Sequence, residues 1–520
     1  VKNVLETRGL TKHFGAFTAV SDVSISFEEG LIHAVLGENG AGKSTLMKLL
    51  FGLHQPSSGT ILLDGEPVAW RTSMDAIRRG LGMVQQHFSL VEPLSAIDNI
   101  MLGAEVCGAI GRLDRKAAIA RLEKLLPSEH LSVPWETPVG QLSVGQKQRV
   151  EILKLLFREA RVLFLDEPTA VLTPAEIDEF FEVLRKLKAA GCTIVIITHK
   201  INEVIQVCDR YSVLRQGKLV AQGKVEGTSV ESIVESMIGR KLPEFTLERE
   251  APRAETVLET MSLSEAALSS QSEASLQRGQ MNGLSLRVHA GEIVGVAGVE
   301  GSGQSSFVDA VMGLKDFDGE LKILGEKLLP RQTARVRELG TGLVPEDRHH
   351  QGLWLTESCF TNMIIGLEDR FLKNHVFQND RIQSETLQWA KEFDVRTASL
   401  ENPVGSLSGG NQQKVIFARE VNGRKPRFLI CHQPTRGVDL GAIDLIHRKI
   451  VELRNQGLGV LVLSSELDEL LKLCDRIYVF FEGRISAEFA RHQFDRCEIG
   501  AAMTGAVLNH AAMTGADHAH

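Results

Sequence analysis

The chain has 520 residues, of which 43% are hydrophobic and 24% charged, with a formal net charge of −8. That length gives two to four domains with cores of their own, and the negative balance with a pI near 6.1 argues against a surface built for nucleic acid. The seven cysteines form no Cys-x-x-Cys pair, which points to reduced thiols rather than a zinc site or a disulfide framework. The segment beginning Val1-Lys-Asn-Val has no apolar signal core, and no run of about eighteen apolar residues occurs, so any role at a membrane is expected to be peripheral and exercised from the cytoplasm.

The first strong pattern is a predicted buried strand over Leu31–Leu36, then Gly37-Glu38-Asn39-Gly40-Ala41-Gly42-Lys43-Ser44, then a predicted helix over Ser44–Leu50 that includes Thr45. Glycines at these spacings let the backbone form a nest of N–H groups around a β-phosphate. The lysine reaches the β/γ-phosphates, the Ser hydroxyl ligates Mg²⁺, and the helix N-terminus faces the anion. From Gln86 to Gln141 the pattern turns mostly helical, for example over Arg115–Leu126, as in a helical subdomain inserted into an α/β core. Leu142-Ser143-Val144-Gly145-Gln146 follows, then the apolar strand Val162–Asp166 ending Asp166-Glu167-Pro-Thr, and then Ile194–Thr198 followed by His199. Asp166 at a strand end can hold Mg²⁺ through its water shell, and the adjacent Glu167 can accept a proton from an attacking water or orient it.

The same order recurs in the second half. A second loop runs Gly298-Val-Glu-Gly301-Ser-Gly303-Gln304-Ser305-Ser306, and Cys-Asp-Arg occurs at 208–210 and again at 474–476. This is one domain duplicated. The expected division is 1–242, a proline-bracketed linker 243–256, a second domain 257–500, and a disordered tail 501–520. The tail's Asp517-His-Ala-His520 is a metal-site candidate weaker than its reading as a frayed end. The segment Ser262–Gln280, rich in Ser, Ala, Glu and Gln, is expected to be irregular, and each half is expected to hold a largely parallel sheet covered by helices.

The motif order resembles the ATP-binding-cassette (ABC) ATPases, twice over and across essentially the whole chain. The fold this implies is α/β, with two tandem phosphate-loop nucleotide-binding domains, each carrying a helical insertion. The resemblance implies ATP and Mg²⁺ as cofactors, with Lys43, Gln86, Glu167 and His199 as the catalytic set and Ser44, Asp166 and Gln86 around the metal. Gln85 competes with Gln86 for the glutamine position. Phe14 falls where the family places an aromatic that stacks on adenine, the alternative being a core phenylalanine.

The second half departs from the pattern. Gln304 replaces the lysine, His432 the Mg²⁺ aspartate, Gln433 the catalytic glutamate, Glu346 the glutamine and Ser465 the histidine. Glutamine can orient water but cannot take its proton. Yet this half keeps the signature Leu407-Ser408-Gly409-Gly410-Asn411 and Asp439, while the first half has Val144 within Ser143-Val144-Gly145 and Thr173 at the aspartate's place. Cassettes of the family pair head to tail, so the resemblance implies one whole composite site and one degenerate one.

Fused asymmetric pairs of this kind resemble the ATP-binding subunits of bacterial carbohydrate and nucleoside importers. Gln85-Gln-His-Phe88, Gly298–Gln304 and Val344-Pro-Glu-Asp-Arg348 lie nearer the nucleoside branch than the ribose/galactose branch. That implies two membrane permease subunits and, indirectly, a solute-binding protein as partners, no nucleic acid, and a place on the cytoplasmic face of the membrane. A sugar or a flavin is the alternative cargo. A soluble twin-cassette ATPase acting on ribosomes or DNA is the alternative class, disfavoured by the short linker and the single competent site. A non-enzymatic scaffold would fit the second half alone.

Overall fold

The computed structural model describes residues 2–15, 17–85, 88–108, 111–125, 133–169, 172, 174–241, 252–266 and 279–505. Internal contacts divide the chain into two units, Val1–Pro243 and Glu244–His520. In the first unit, Leu81–Val84, Val162–Asp166, Thr193–Thr198, Ile32–Leu36 and Arg210–Arg215 lie side by side in that order, all parallel. Lys218–Lys224 closes the edge antiparallel to its neighbour. The two central strands are buried along their whole length, as expected of β-branched runs covered on both faces.

The expectation of a largely parallel sheet describes only half of this architecture. A second, antiparallel sheet packs Phe17–Val23, Asn3–Phe14, Ser58–Leu63 and Glu66–Val68, with Ser26–Glu28 also pairing to Asn3–Phe14. Its inward residues, among them Leu5, Leu10, Phe27 and Ile61, share one core with the helix Lys43–Leu50 and the parallel strands. The helices Ala96–Met101 and Arg115–Leu125 occupy the inserted stretch.

The second unit repeats both sheets. Thr341–Val344, Phe428–His432, Gly459–Ser464, Ile293–Ala297 and Arg476–Phe481 run parallel with Arg484–Ala490 antiparallel at the edge. Leu284–His289, Thr256–Glu265, Phe317–Ile323 and Glu326–Leu328 form the antiparallel sheet. Ser262–Glu265, expected to be irregular, are therefore the end of a strand, paired through Ser264 and Glu265 to Asp318 and Phe317. Residues 267–278 and most of the expected linker lie outside the described residues. The last helix, Arg496–Met503, reaches three residues into the segment read as a tail, and the tail's histidines lie outside the described residues.

The repeated Cys-Asp-Arg segments have a structural purpose. Asp209 Oδ2 accepts the backbone N–H of Ile32, and Asp475 Oδ2 that of Ile293, both at 2.9 Å. Each aspartate thus fixes the first residue of the strand that runs into a phosphate loop. Among the described residues no helix is long and apolar enough to cross a membrane.

Candidate functional site

The parallel register brings three strand ends together in the first unit. Leu36 pairs with Thr198, and Asp166 with Ile197, so the chain leaves the sheet at Gly37, Glu167 and His199 along one edge. The carboxyl ends of parallel strands are where open α/β sheets bind ligands. Gly42 caps the helix Lys43–Leu50 at φ 100°, a left-handed conformation that suits glycine, and a Cβ there would strike the carbonyl oxygen of Ala19. Asn39 and Gly40 are exposed, Ala41 is buried and Thr45 half-buried.

Lys43 is only 7% exposed. Its Nζ donates to the carbonyls of Gly37 at 2.7 Å and Glu38 at 3.0 Å, so the loop holds its own lysine in place. Burial pulls the ammonium below its ordinary range, against the raising influence of Glu167, Asp166 and Glu38. Burial, reinforced by Glu167, pushes the Asp166 carboxyl up, with Lys43 opposing. An anion held at such cost favours a cation beside it. With the Ser44 hydroxyl, the donor set is the hard-oxygen kind that Mg²⁺ prefers, so the residues fit the metal.

Glu167 takes a left-handed backbone, φ 46°, which strains a non-glycine residue and recurs at functional sites. Its N–H donates to the carbonyl of Ile197 at 2.9 Å, and its Oε1 lies 2.9 Å from His199 Nδ1. Burial alone would raise this carboxyl, but the hydrogen bond and charge of His199, with Lys43 and Lys200, outweigh it and hold the group low. Glu167 is thus ionised and oriented, the state a base or water-orienting group needs. Phe14, at the end of its strand, is 45% exposed and edge-on to His54 at 5.5 Å, so it is not a core residue. Gln86, Thr173 and their expected roles lie outside the described residues. Gln85 follows directly on the strand Leu81–Val84 and is exposed.

Ser143 caps the helix Val144–Phe157 by a box in which its Oγ accepts from Gln146 N and Gln146 Oε1 accepts from Ser143 N. Gly145 lies so close to Glu176 that a Cβ would sit 2.6 Å from its Oε1. Ser408 caps Gly409–Phe417, its Oγ accepting from the backbone N–H of Asn411 at 3.5 Å and also from Asn411 Nδ2 at 3.0 Å. A Cβ on Gly410 would strike the carboxylate of Asp439. Asp439 in turn caps the helix Leu440–Asn455 through Ala442 N at 2.9 Å.

In the second unit the backbone is the same and the chemistry different. Gly303 caps its helix at φ 99°, and Gln433 sits at φ 51°. Gln304 reaches the Val299 carbonyl at 3.3 Å, and Gln433 Oε1 accepts from both the N–H and the hydroxyl of Ser465 at 3.3 Å. Ser306 donates to Glu265 at 2.7 Å. Glu346 accepts from Ser305 Oγ at 3.1 Å and from Arg436 Nη1 at 2.8 Å, and lies 3.5 Å from His432 Nε2. Burial pulls His432 down, with Glu346 opposing, and an imidazole and an amide, His432 and Gln433, stand where the first unit has the acidic pair Asp166–Glu167. This donor set does not fit Mg²⁺. Arg436 gave no signal in the sequence pattern, because its partner is 90 residues away.

A phosphate loop closing on a buried lysine, with an oriented carboxylate at the end of the neighbouring strands, defines a nucleoside-triphosphate hydrolase. The sequence profile described as ABC transporter matches residues 20–170 and 281–436. The nucleoside import ATP-binding protein NupA of Lactococcus lactis subsp. cremoris is 40% identical, over 98% of this chain and 99% of that protein. The guanosine import ATP-binding protein NupO of Bacillus subtilis is 39% identical, over 98% of each. The ribose import ATP-binding protein RbsA 2 of Streptomyces avermitilis is 36% identical, over 96% of this chain and 97% of that protein. The chain belongs to the ABC transporter family, as a tandem pair of its ATP-binding cassettes with ATPase activity.

Proposed function

We propose that the chain is the ATP-hydrolysing subunit of a nucleoside importer, acting at the cytoplasmic face of the membrane with two permease subunits and a solute-binding protein. The observation that carries the hydrolytic part is the complete set Lys43, Asp166 and Glu167–His199 in one half against Gln304, His432 and Gln433–Ser465 in the other. ATP would be held by the Gly37–Thr45 loop with Phe14 at its base, and Mg²⁺, held by Ser44 and Asp166 with Gln86, would neutralise charge on the phosphates. Glu167, held ionised by His199, orients the water and takes its proton. Ser408-Gly409-Gly410 and Asp439 would contribute to ATP binding, as the intact signature implies by resemblance. The second loop, with Gly298, Gly301, Gly303, Gln304 and Ser305, would not turn over. The relatives named for nucleoside and guanosine import support nucleoside cargo over ribose.

The test is ATPase activity of Lys43→Ala, Glu167→Gln and Gln304→Ala in the assembled complex. The first two should lose about a hundred-fold or more, and the third should stay near wild type. Equal damage from Gln304→Ala would overturn the one-site reading. Cargo is checked by uptake of labelled guanosine and labelled ribose; ribose uptake alone would refute nucleoside import.

A further inference from the structure

The signature segment of the second unit is braced by a residue that has been given no role in the site so far. Arg348 lies just beyond the strand Thr341–Val344, at the start of the wide helical turn Arg348–Gly352. Its Nε donates to Gln412 Oε1 at 3.3 Å and its Nη1 to the carbonyl of Arg436 at 2.8 Å. His349 Nε2 is 3.0 Å from the same Gln412 oxygen. The guanidinium packs over Gly409 so closely that a Cβ there would sit 2.7 Å from Nη2. Gln412 is in the first turn of the signature helix, and Arg436 precedes Gly437-Val438-Asp439. One planar fork therefore spans the signature and the Asp439 segment, a geometry a lysine cannot reproduce.

The brace continues into the altered loop. Arg436, whose carbonyl receives Arg348, donates its own side chain to Glu346, and Glu346 accepts from Ser305. A polar path thus joins Ser305, in the altered phosphate loop, to Gln412 in the first turn of the signature helix. At the positions equivalent to Glu346, Arg348, Gln412 and Arg436 the first half has Gln86, Phe88, Lys147 and Ala170. All four groups are present in the half that keeps the signature and replaced in the half that has lost it.

We propose that Arg348 is a positioning residue for Ser408-Gly409-Gly410, and that the Arg436–Glu346 pair ties this placement to whatever anion occupies the altered loop. An incoming phosphate competes with Glu346 for Arg436, and Arg436 carries the carbonyl on which Arg348 rests. The inference rests on the reading above, in which this signature contributes to ATP binding.

The experiment measures ATP KM and kcat of the full chain in its assembled complex for Arg348→Ala, Arg348→Lys, Arg436→Ala and the Arg348→Ala/Arg436→Ala pair. Arg348→Ala should raise KM about ten-fold with kcat within about three-fold, as loss of a charge-assisted contact that places a binding element would. Arg348→Lys should recover part of the loss, and the double variant should be no worse than the worse single one. An unchanged KM in Arg348→Ala, a fall confined to kcat, or multiplied effects in the double variant would each overturn the proposal. Should Arg348→Ala misfold by circular dichroism, Gln412→Leu breaks the same brace from the other side and must raise KM likewise. Glu167→Gln in the same assay separates the two readings: if it turns over normally the site assignment fails, and if it is inactive while Arg348→Ala is normal only the positioning role fails.

Discussion

His199 Nδ1 stands 2.9 Å from Glu167 Oε1, and in the other half the same two places hold Ser465 and Gln433 at 3.3 Å. The first pair can hold a charge and pass a proton on; the second can do neither, since an amide is neutral and a hydroxyl far too weak an acid.

That pairing fixes a pH dependence. Burial favours the protonated form of Glu167, and His199 does much to reverse this. Removing the imidazole in His199→Gln raises the Glu167 pKa, so the acid limb of the kcat–pH profile moves to higher pH. A profile measured on the assembled complex from pH 5 to 8 checks it, and an unmoved acid limb would remove His199 from this role.

Asp166 carries the opposite sign. Its folded-state pKa is raised above the ordinary 3.8, so the folded protein binds more protons than the unfolded chain over that interval and the ionised carboxylate costs stability at neutral pH. Asp166→Asn should therefore raise the first calorimetric Tm of the nucleotide-free protein at pH 7. The same variant should lower Mg²⁺-dependent ATPase activity about a hundred-fold. A lower Tm would contradict the sign.

Glu420 is a buried anion with three cations around it. Arg337 lies at 2.9 Å, Arg419 and Arg424 at 3.0 Å, and the N–H of Leu343 donates to it at 3.2 Å. Burial would raise this carboxyl, but Arg419, Arg337 and Arg424 together hold it low. Glu420→Ala leaves the arginines uncompensated and should cost about 3–5 kcal/mol in urea unfolding of the second unit. Because the folded pKa is depressed, this stabilisation is complete above the ordinary 4.5 and drains as pH falls through the lower folded value.

The thiols divide by burial. Cys107 and Cys497 are exposed and Cys192 intermediate, whereas Cys208, Cys359, Cys431 and Cys474 are buried, and burial pushes the Cys208 and Cys431 thiols far up. Timed maleimide labelling read by mass spectrometry should modify 107 and 497 first and leave 208, 431 and 474 intact until denaturant is added.

Much of this was legible in sequence because the chemistry of a phosphate loop is local. The run Gly37–Ser44, the strand ending at Asp166 and the strand leading to His199 all carry their signal within a few residues, and the structure places them along one sheet edge. The antiparallel sheets are not legible in the sequence, since their strands pair across distant segments, as Leu5 does with Leu63, and show weak alternation. Nor is the polar path through Arg348 and Arg436, whose members are joined only by the fold. Glu346 was recognisable as a replacement for glutamine, but its partners Ser305 and Arg436 were not.

Gly42 and Gly303 cap their helices with φ within a degree of one another, and Glu167 and Gln433 share the same left-handed turn. The second loop has therefore changed its side chains and kept their seats. On the proposal that this loop does not turn over, the difference lies in side chains alone and is in principle reversible: a lysine at 304, aspartate at 432, glutamate at 433 and histidine at 465 would find the backbone already shaped for them.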